Sequence, residues 1–250
     1  MTARLDRELV ERGLARSRGQ AIDAIRDGRV TVKGQVATKA ASPTGPDDLI
    51  EIFRGDHYVS RAAHKLAGAL AGAAVTVPPR VLDAGASTGG FTQVLLEAGA
   101  QVVYAVDVGH GQLVPELRAD PRVVVHEGLN LRDLTLDHTD GEPVDLVVGD
   151  VSFISLRMLL EPLFGVLSPT GSALLLVKPQ FEVGRKGLDS RGVVRDEARR
   201  TRAVAEVATA AAGLGMRVAW QGKSGLAGES GNVEYFLHLV PAAPVVVTAG

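Results

Sequence analysis

Cysteine is absent from this sequence of 250 residues, and long apolar runs are absent as well. Without cysteine the chain can form neither disulfides nor cysteine-ligated zinc sites, and it cannot use a covalent thiolate in catalysis. No apolar run approaches the roughly 18–20 residues that cross a bilayer. The first residues, which include Arg4, Asp6, Arg7 and Glu8, contain no apolar signal-peptide core. We therefore expect a cytoplasmic protein that makes no membrane contact.

An excess of positive charge is also lacking, since the formal net charge is −2. A protein that binds nucleic acid over a large surface is usually basic, so any RNA contact has to be local. The six histidines show no metal-ligand spacing, and we expect no metal. Hydrophobic residues make up 46% of the chain and charged residues 22%, which is typical of a globular protein. These features do not fix the oligomeric state, for which a monomer is our expectation.

The most informative segment is a glycine-rich turn between an apolar strand and a helix, at residues 80–91. The strand ends in an acid, and glycines at such a turn let the backbone approach a ligand where a Cβ atom would clash. Position 87 is serine, so the turn departs from the Gly-x-Gly-x-x-Gly of dinucleotide sites and favours the S-adenosylmethionine loop of a methyltransferase. The candidate cofactor-binding residues in this segment are Asp83, Gly85, Ser87, Thr88, Gly89, Gly90 and Phe91.

Two further positions complete the predicted cofactor site. Asp107 ends the next apolar strand, where an acid commonly hydrogen-bonds a ribose. Asn130 follows the third strand and is a candidate for the adenine edge. A glycine-rich turn in another kind of α/β domain remains the alternative interpretation of this segment taken alone.

The pattern of the chain changes near residue 55. Residues 1–55 predict a compact α+β module in which two amphipathic helices precede two short strands, at residues 30–33 and 49–53. Ser17 is a candidate N-cap, and Gly13 and Gly28 stand where the two helices end. Residues 56–60 predict a linker, residues 61–240 a second domain, and residues 241–250 a frayed tail.

The second domain alternates strands and helices, which predicts an α/β fold with a mostly parallel, seven-stranded Rossmann-like methyltransferase sheet. No helix separates the last two strands, so we expect them to pair antiparallel. Ligands bind in the crevice at the carboxyl edge of such a sheet. The predicted strands are residues 80–84, 101–107, 122–126, 144–149, 172–177, 216–221 and 233–240, and the predicted helices are 89–98, 112–118, 155–166 and 195–213.

The N-terminal module resembles the RNA-binding domain first seen in the small-subunit ribosomal protein S-four, also called the alpha-L motif. The matching segments are Arg4-Leu-Asp, Gly13-Leu-Ala-Arg-Ser-Arg18 and Gly28-Arg-Val-Thr-Val-Lys-Gly34. Mixed charges alone would equally fit two solvated helix faces. The resemblance implies contacts with RNA phosphates, which position RNA without reading its sequence. The implied RNA-binding residues are Arg4, Arg16, Arg18 and Lys33.

Four polar residues stand at strand or helix ends around the predicted crevice: Lys65, Asp150, Lys178 and Glu234. Each has an ordinary structural explanation when taken alone. A lysine after an apolar strand commonly extends to solvent, and an aspartate at a strand end commonly caps the next helix. Their grouping at one edge of the sheet favours a functional site.

These four residues, with the motifs Asp83-Ala-Gly-Ala-Ser-Thr-Gly-Gly-Phe91, Asp150-Val-Ser-Phe-Ile-Ser155 and Val177-Lys-Pro-Gln-Phe-Glu182, resemble the FtsJ-type ribose 2′-O-methyltransferases. Together with the N-terminal module, they resemble the TlyA (haemolysin A) family of ribosomal RNA methyltransferases over about 240 residues. The resemblance implies methyl transfer from S-adenosylmethionine to a cytidine 2′-hydroxyl of ribosomal RNA. It also implies that the four residues form a catalytic tetrad.

The role of Lys178 remains open at the level of sequence. A lysine that acts as a base has to spend time neutral, whereas a charged lysine would stabilise a developing alkoxide. Asp150 would orient Lys178 and the hydroxyl, and Glu234 would position Lys65.

Other functions fit the sequence less well. The run after the fourth strand lacks the prolines typical of exocyclic-amine methyltransferases, and a nicotinamide-dependent oxidoreductase would leave both lysines unexplained. Two alternatives remain: an RNA-binding protein that has lost catalysis, and a membrane-lytic protein such as the name haemolysin suggests.

Overall fold

The computed structural model describes residues 3–26, 30–37, 39–52, 57–228 and 231–242. Internal contacts divide the chain into two compact units, residues 1–57 and residues 58–250, which we call the N-terminal and C-terminal units. The domain boundaries expected from sequence stay a prediction.

The N-terminal unit consists of two helices and short strands. Two leucines and an isoleucine from the helices, Leu5, Leu9 and Ile25, pack with Val30 and Ile50 in a small core. Within the described residues, one sheet has the strand order β3-β2-β5, and β1 pairs with β4. The elements are β1 (Ala3–Arg4), α1 (Leu5–Glu11), α2 (Arg18–Arg26), β2 (Val30–Val32), β3 (Gln35–Val36), β4 (Pro43–Thr44) and β5 (Ile50–Ile52).

The helix ends of this unit follow the capping signals in the sequence. The Gln20 amide donates to Ser17 Oγ at 3.2 Å, which confirms Ser17 as an N-cap. Gly13 has a φ of +68° directly after the end of α1, a conformation that favours glycine. Gly28 and Phe53, which entered the predictions, lie outside the described residues.

The C-terminal unit is the predicted seven-stranded sheet, with the order β11-β12-β10-β9-β6-β7-β8. Strands β10, β9, β6, β7 and β8 run parallel, and β12 pairs antiparallel with both β10 and β11. The strands are β6 (Arg80–Ala84), β7 (Val102–Asp107), β8 (Val123–Glu127), β9 (Val144–Gly149), β10 (Leu167–Val177), β11 (Met216–Lys223) and β12 (Tyr235–Pro241). The helices are α3 (Ala62–Gly72), α4 (Gly90–Glu97), α5 (Pro115–Arg118), α6 (Leu160–Gly165), α7 (Pro179–Glu182) and α8 (Glu197–Gly213).

Helices cover both faces of the sheet. Successive side chains of a strand point to opposite faces, so neighbouring residues pack against different helices. Val81 packs in the cluster that contains residues of α3 and α4, such as Leu66 and Leu95. The next residue, Leu82, packs in the cluster that contains Leu160 of α6 and residues of α8. The core therefore has two layers, and the sheet ends are fixed from both sides.

One predicted helix is interrupted. The pattern over residues 155–166 predicted a continuous helix, whereas the structure has a 3₁₀ turn at Leu156–Met158 followed by α6. Pro162 explains the break, since a proline has no N–H to donate and its ring clashes with the carbonyl four residues earlier. The segment after Asp150 is consequently a separate short element. The last strand also differs, since it begins at Tyr235 rather than at residue 233, and it includes Pro241 of the predicted tail.

A polar cluster holds the amino edge of this sheet. The Arg80 guanidinium donates to the Tyr104 hydroxyl and to the Thr139 carbonyl, both at 2.9 Å. The Tyr104 hydroxyl in turn donates to Asp140 Oδ2 at 2.7 Å. Tyr104 is fully buried, so its hydroxyl needs these partners. This cluster, Arg80, Tyr104, Thr139 and Asp140, joins β6 and β7 to the loop before β9.

We predict that Tyr104→Phe lowers the free energy of unfolding by about 1–3 kcal/mol, because Arg80 and Asp140 each lose a hydrogen-bond partner. Urea denaturation of the purified variant measures this loss. Tyr235→Phe is the matched control, because Tyr235 lies half-buried at the start of β12 and does not belong to this cluster. An equal change in the two variants would contradict the role given to the cluster.

Candidate active site

The glycine-rich turn brings three strand ends together at the carboxyl edge of the sheet. Gly85 has a φ of +88°, and a Cβ atom there would lie 3.1 Å from the Asp150 carbonyl oxygen. The Gly85 amide donates to the Val106 carbonyl at 2.8 Å, and the Asp150 amide donates to the Ala84 carbonyl at 3.0 Å. Position 85 therefore requires glycine, and the turn after β6 lies directly against the start of the Asp150 segment.

Asp107 organises the loops on the other side of the turn. Its carboxylate accepts the Ser87 amide at 2.8 Å and the Gly109 amide at 2.7 Å. Ser87 itself has a φ of +47°, and its hydroxyl donates to Gln112 at 3.1 Å. Each carboxylate oxygen of Asp107 keeps a further lone pair, as a ribose-binding acid requires.

Other residues of the predicted cofactor loop face the interior. A side chain at Gly89 would collide with Leu113 and Leu117, and one at Gly90 would meet the beginning of α3. The Phe91 ring is buried and stacks on Phe236 at a centroid distance of 6.2 Å, so it packs the core and does not line a crevice. Thr88 contributes its carbonyl, which accepts the Val114 amide at 3.3 Å.

The space that a Cβ atom of residue 89 would occupy is therefore filled by other side chains of the protein, so the approach of a ligand does not explain the glycine at this position. Its φ of +99° and the two leucines both demand a residue without a side chain. A substitution there would damage the fold as well as the loop.

Asp83 lies at the end of β6 and is fully buried. Its Oδ2 accepts the Thr92 hydroxyl at 2.7 Å, whereas its Oδ1 has no hydrogen-bond partner in the described residues. Burial raises the pKa of Asp83 to about 7, and the nearby Asp150 charge acts in the same direction. A buried acceptor without a partner at the cofactor loop fits a ligand that brings a donor or a positive charge.

Asn130 has a structural task that the sequence does not reveal. Its side-chain oxygen accepts the Arg132 amide at 3.1 Å and caps the 3₁₀ turn Leu131–Asp133. The side chain is exposed. The amide nitrogen and the second lone pair of the amide oxygen are therefore available to an adenine.

The four predicted catalytic residues form two ion pairs. Lys178 Nζ lies 2.6 Å from Asp150 Oδ1, and Lys65 Nζ lies 2.7 Å from Glu234 Oε2. All four side chains are at most 14% exposed. Lys178 also donates a hydrogen bond to the Ser152 hydroxyl at 2.7 Å, whereas its contact with Asp150 Oδ1 is an ion pair without hydrogen-bond geometry. Each buried positive charge at this edge is thus matched by a carboxylate.

Three neighbours of these pairs were not identified from the sequence. Ser152 binds Lys178, and Gln180 donates to Glu234 Oε1 at 3.3 Å. Phe153 is 92% exposed and has a φ of +66°, and its ring lies 5.4 Å from that of Phe181. The sequence motifs that contain these residues were identified. The spacing of residues in a motif, however, predicts neither a strained backbone nor the exposure of an aromatic ring.

The predicted RNA-binding cations of the N-terminal unit are exposed and paired. Arg4 and Arg18 both donate to the buried Asp6, at 3.0 and 2.8 Å. The hydrogen bond from Arg4, joined by that from Arg18, lowers the pKa of Asp6 to about 2. Lys33 lies 2.8 Å from Asp48. Arg16 is exposed, and its amide donates to Gln20 Oε1. Two guanidinium groups on one carboxylate leave a net positive charge at this surface.

Within the ranges that the structure describes, no helix is long and apolar enough to cross a membrane.

Two family models match the chain. Residues 58–240 match the FtsJ-like methyltransferase model, and residues 3–50 match the S4 domain. The N-terminal match covers Arg4, Arg16, Arg18 and Lys33. The C-terminal match covers both ion pairs and the glycine-rich turn.

Known proteins agree with these matches. The 16S/23S rRNA (cytidine-2′-O)-methyltransferase TlyA of Mycobacterium tuberculosis is 50% identical over 240 residues, which cover 95% of this chain and 89% of the relative. A solved structure from Streptococcus thermophilus, described as a hemolysin, has a TM-score of 0.77 and 35% identity and covers 96% of this chain and 89% of its own. A Burkholderia thailandensis N-methyltransferase with bound S-adenosylhomocysteine has the same fold at 20% identity, with a TM-score of 0.51 over 74% of this chain and 80% of its own. The chain therefore belongs to the TlyA family of FtsJ-like methyltransferases.

Proposed function

We propose that this protein transfers a methyl group from S-adenosylmethionine to the ribose 2′-hydroxyl of a cytidine in ribosomal RNA. The observation that carries the proposal is the placement of two lysine–carboxylate pairs in the same unit as the glycine-rich turn. The name of the Mycobacterium tuberculosis relative states this reaction for that protein. A protein with this substrate works where ribosomes are, which in a bacterium is the cytoplasm.

The residues at the turn fit the cofactor. Asp107 offers lone pairs to ribose hydroxyls, and Asp83 offers an unpartnered oxygen to a positively charged group. Gly85 keeps the turn close to Asp150. When bound, S-adenosylmethionine supplies an activated methyl group, so the protein has to align the attacking oxygen and stabilise its charge.

Lys178 and Asp150 act on the attacking hydroxyl. The ammonium is fixed by Asp150 and Ser152, so it presents a positive charge where the ribose oxygen becomes an alkoxide. Asp150 Oδ1 accepts no hydrogen bond within the described residues, so it can accept one from the ribose hydroxyl, orient that hydroxyl and take up its proton, which then passes to solvent. We assign Lys178 to electrostatic stabilisation of the alkoxide, since its ammonium forms an ion pair with the Asp150 carboxylate.

Lys65 and Glu234 form the second pair, and Gln180 holds Glu234 from the other side. Gly228 leaves room for this carboxylate, because a side chain there would collide with Glu234. We assign the pair to positioning the ribose. Phe153, with its exposed ring, offers a stacking surface for a nucleobase.

The pH dependence of cofactor binding follows from the pKa of Asp83, which is about 7. The carboxyl is largely protonated below that pH, and a cationic ligand favours the ionised form. We predict that the Kd for S-adenosylmethionine decreases by up to about 20-fold as the pH rises from about 5.5 to about 7.5. This range lies below the usual α-amino pKa of about 7.7–8.0.

Isothermal titration calorimetry over this pH range provides the measurement. Asp83→Asn should remove most of the pH dependence. Asp145→Asn is the control for the loss of one carboxylate, because Asp145 accepts Ser168 at the amino end of β9. The same slope in all three proteins would exclude Asp83 from the cofactor site.

We predict that Lys178→Ala retains both ligands but loses turnover by at least about 100-fold, as expected for removal of an oxyanion stabiliser. Tritiated methyl transfer to unmodified ribosomal subunits, followed by mapping of the 2′-O-methylated nucleotide, measures the activity. Lys223→Ala, at an exposed lysine of β11, serves as the control. The proposed function fails if the unaltered protein transfers no methyl group, and the role of Lys178 fails if the alanine variant turns over normally.

RNA docking is assigned to the N-terminal unit. Reversing the charge of Arg18 would set two carboxylates against each other beside the buried Asp6, so neutral variants are the cleaner test. We predict that Arg16→Gln with Arg18→Gln raises the KM for subunits by at least about tenfold, because hydrogen bonds to phosphates are lost. The cofactor Kd should not change, and the salt dependence of RNA binding should decrease by about one per lost phosphate contact.

The control removes the same number of charges elsewhere. Arg217→Gln with Arg122→Gln changes the net charge equally, at β11 and at the turn before β8. Single-turnover methylation at saturating RNA then separates docking from chemistry. A slower chemical step in the Arg16 and Arg18 variant, with normal subunit binding, would mean that the N-terminal unit takes part in the reaction.

A further inference from the structure

Glu182 is a buried carboxylate that the proposed chemistry does not use. It ends α7, four residues after Lys178, and its side chain is 1% exposed. Its Oε1 accepts the Leu156 amide at 2.7 Å, and its Oε2 accepts the Ser155 hydroxyl at 2.6 Å and Arg157 Nε at 3.2 Å. Ser155 and Leu156 end the segment that begins at Asp150, and Arg157 directly follows it.

The segment that follows β9 and the segment that follows β10 are therefore joined to each other at both ends. At one end Lys178 contacts Asp150 and Ser152, and at the other end Glu182 holds Ser155 and Leu156. Between these ties, the Phe153 and Phe181 rings lie 5.4 Å apart. The segment after β10 carries Lys178, next to the proposed position of the attacking oxygen. The segment after β9 carries the exposed ring of Phe153.

The backbone of this loop needs such an anchor. Phe153 has a φ of +66°, in the left-handed region that residues other than glycine rarely adopt. A strained residue persists only where its surroundings fix it, and the ring of Phe153 is too exposed to provide that restraint. Ile154 packs partly against the core, and the hydrogen bonds of Glu182 are the nearest hydrogen bonds on the carboxyl side, two to three residues further along the chain.

We propose that Glu182 is a positioning residue for methyl transfer: it fixes the Asp150–Leu156 segment so that Asp150 and Phe153 keep their places relative to Lys178. The proposal rests on the proposed function. Glu182 touches neither ligand nor reacting atom, and it acts through the segment that it holds. Removal of its carboxylate releases the loop while the cofactor residues Asp83 and Asp107 keep their own contacts.

Three variants test this role. Glu182→Ala should lower kcat by about 100-fold, because small displacements of reacting groups have effects of that size. Glu182→Gln keeps an acceptor for the Leu156 amide and should retain kcat within about tenfold of the unaltered protein. Ser155→Ala removes one donor and provides a milder change if Glu182→Ala does not fold. The Kd for S-adenosylmethionine should stay constant in all three.

Asp140→Ala is the matched control, since it removes an acceptor of the Tyr104 hydroxyl at the opposite edge of the sheet and should not change kcat. Hydrogen exchange supplies a readout independent of activity: amides of residues 152–157 should lose protection in Glu182→Ala and keep it in Asp140→Ala. Unchanged exchange and unchanged kcat in a folded Glu182→Ala or Ser155→Ala protein would overturn the proposal. An equal decrease of kcat in Asp140→Ala would show a general stability effect and would overturn it too.

The two proposals fail in different ways. If the unaltered protein transfers no methyl group to ribosomal RNA, the proposed function is wrong, and the exchange experiment still decides whether Glu182 fixes the loop. If the unaltered protein is active and the loop exchanges normally without the carboxylate, only the role of Glu182 is wrong.

Discussion

The close approach of strand ends at Gly85 is the constraint on which the rest of the site depends. No side chain fits between this residue and the Asp150 carbonyl, so the glycine-rich loop after β6 and the segment after β9 are in direct backbone contact. The parallel order of β6, β7 and β9 brings their carboxyl ends to the same edge. Asp107 then fixes the outer side of the loop through two amides. The two halves of the reaction site are consequently set by backbone geometry, and side chains refine it.

Charge in this protein is placed in pairs. At the sheet edge two lysines face two carboxylates, and in the N-terminal unit two arginines share the buried Asp6. The two ion pairs at the sheet edge contain two positive and two negative side chains. This balance of charge suits a reaction in which a negative charge develops only briefly. The arginine group has an excess of positive charge and suits a permanently charged RNA backbone. We therefore propose that the same residue types support chemistry in the C-terminal unit and RNA docking in the N-terminal unit.

The fold was largely predictable because its strands are apolar and its glycines stand at turns. The parallel order, the antiparallel last strand and the grouping of Lys65, Asp150, Lys178 and Glu234 follow from where the strands end. The rest depends on tertiary contacts. Strands of two residues carry no periodicity, Pro162 breaks a helix that the apolar pattern continues, and Gly89 proves to face leucines. The division of the tetrad into two pairs, and the support of Glu182, require distances that a sequence does not contain.

The polar cluster of Arg80, Tyr104, Thr139 and Asp140 has a consequence for how the family can diverge. It ties the sheet together at the edge opposite the reaction site, with interactions that involve none of the catalytic residues. This anchor of the sheet is therefore separate from the four residues proposed to carry the reaction. Substitutions in the loops around the crevice, where relatives could differ in their nucleotide target, leave the contacts of this cluster in place.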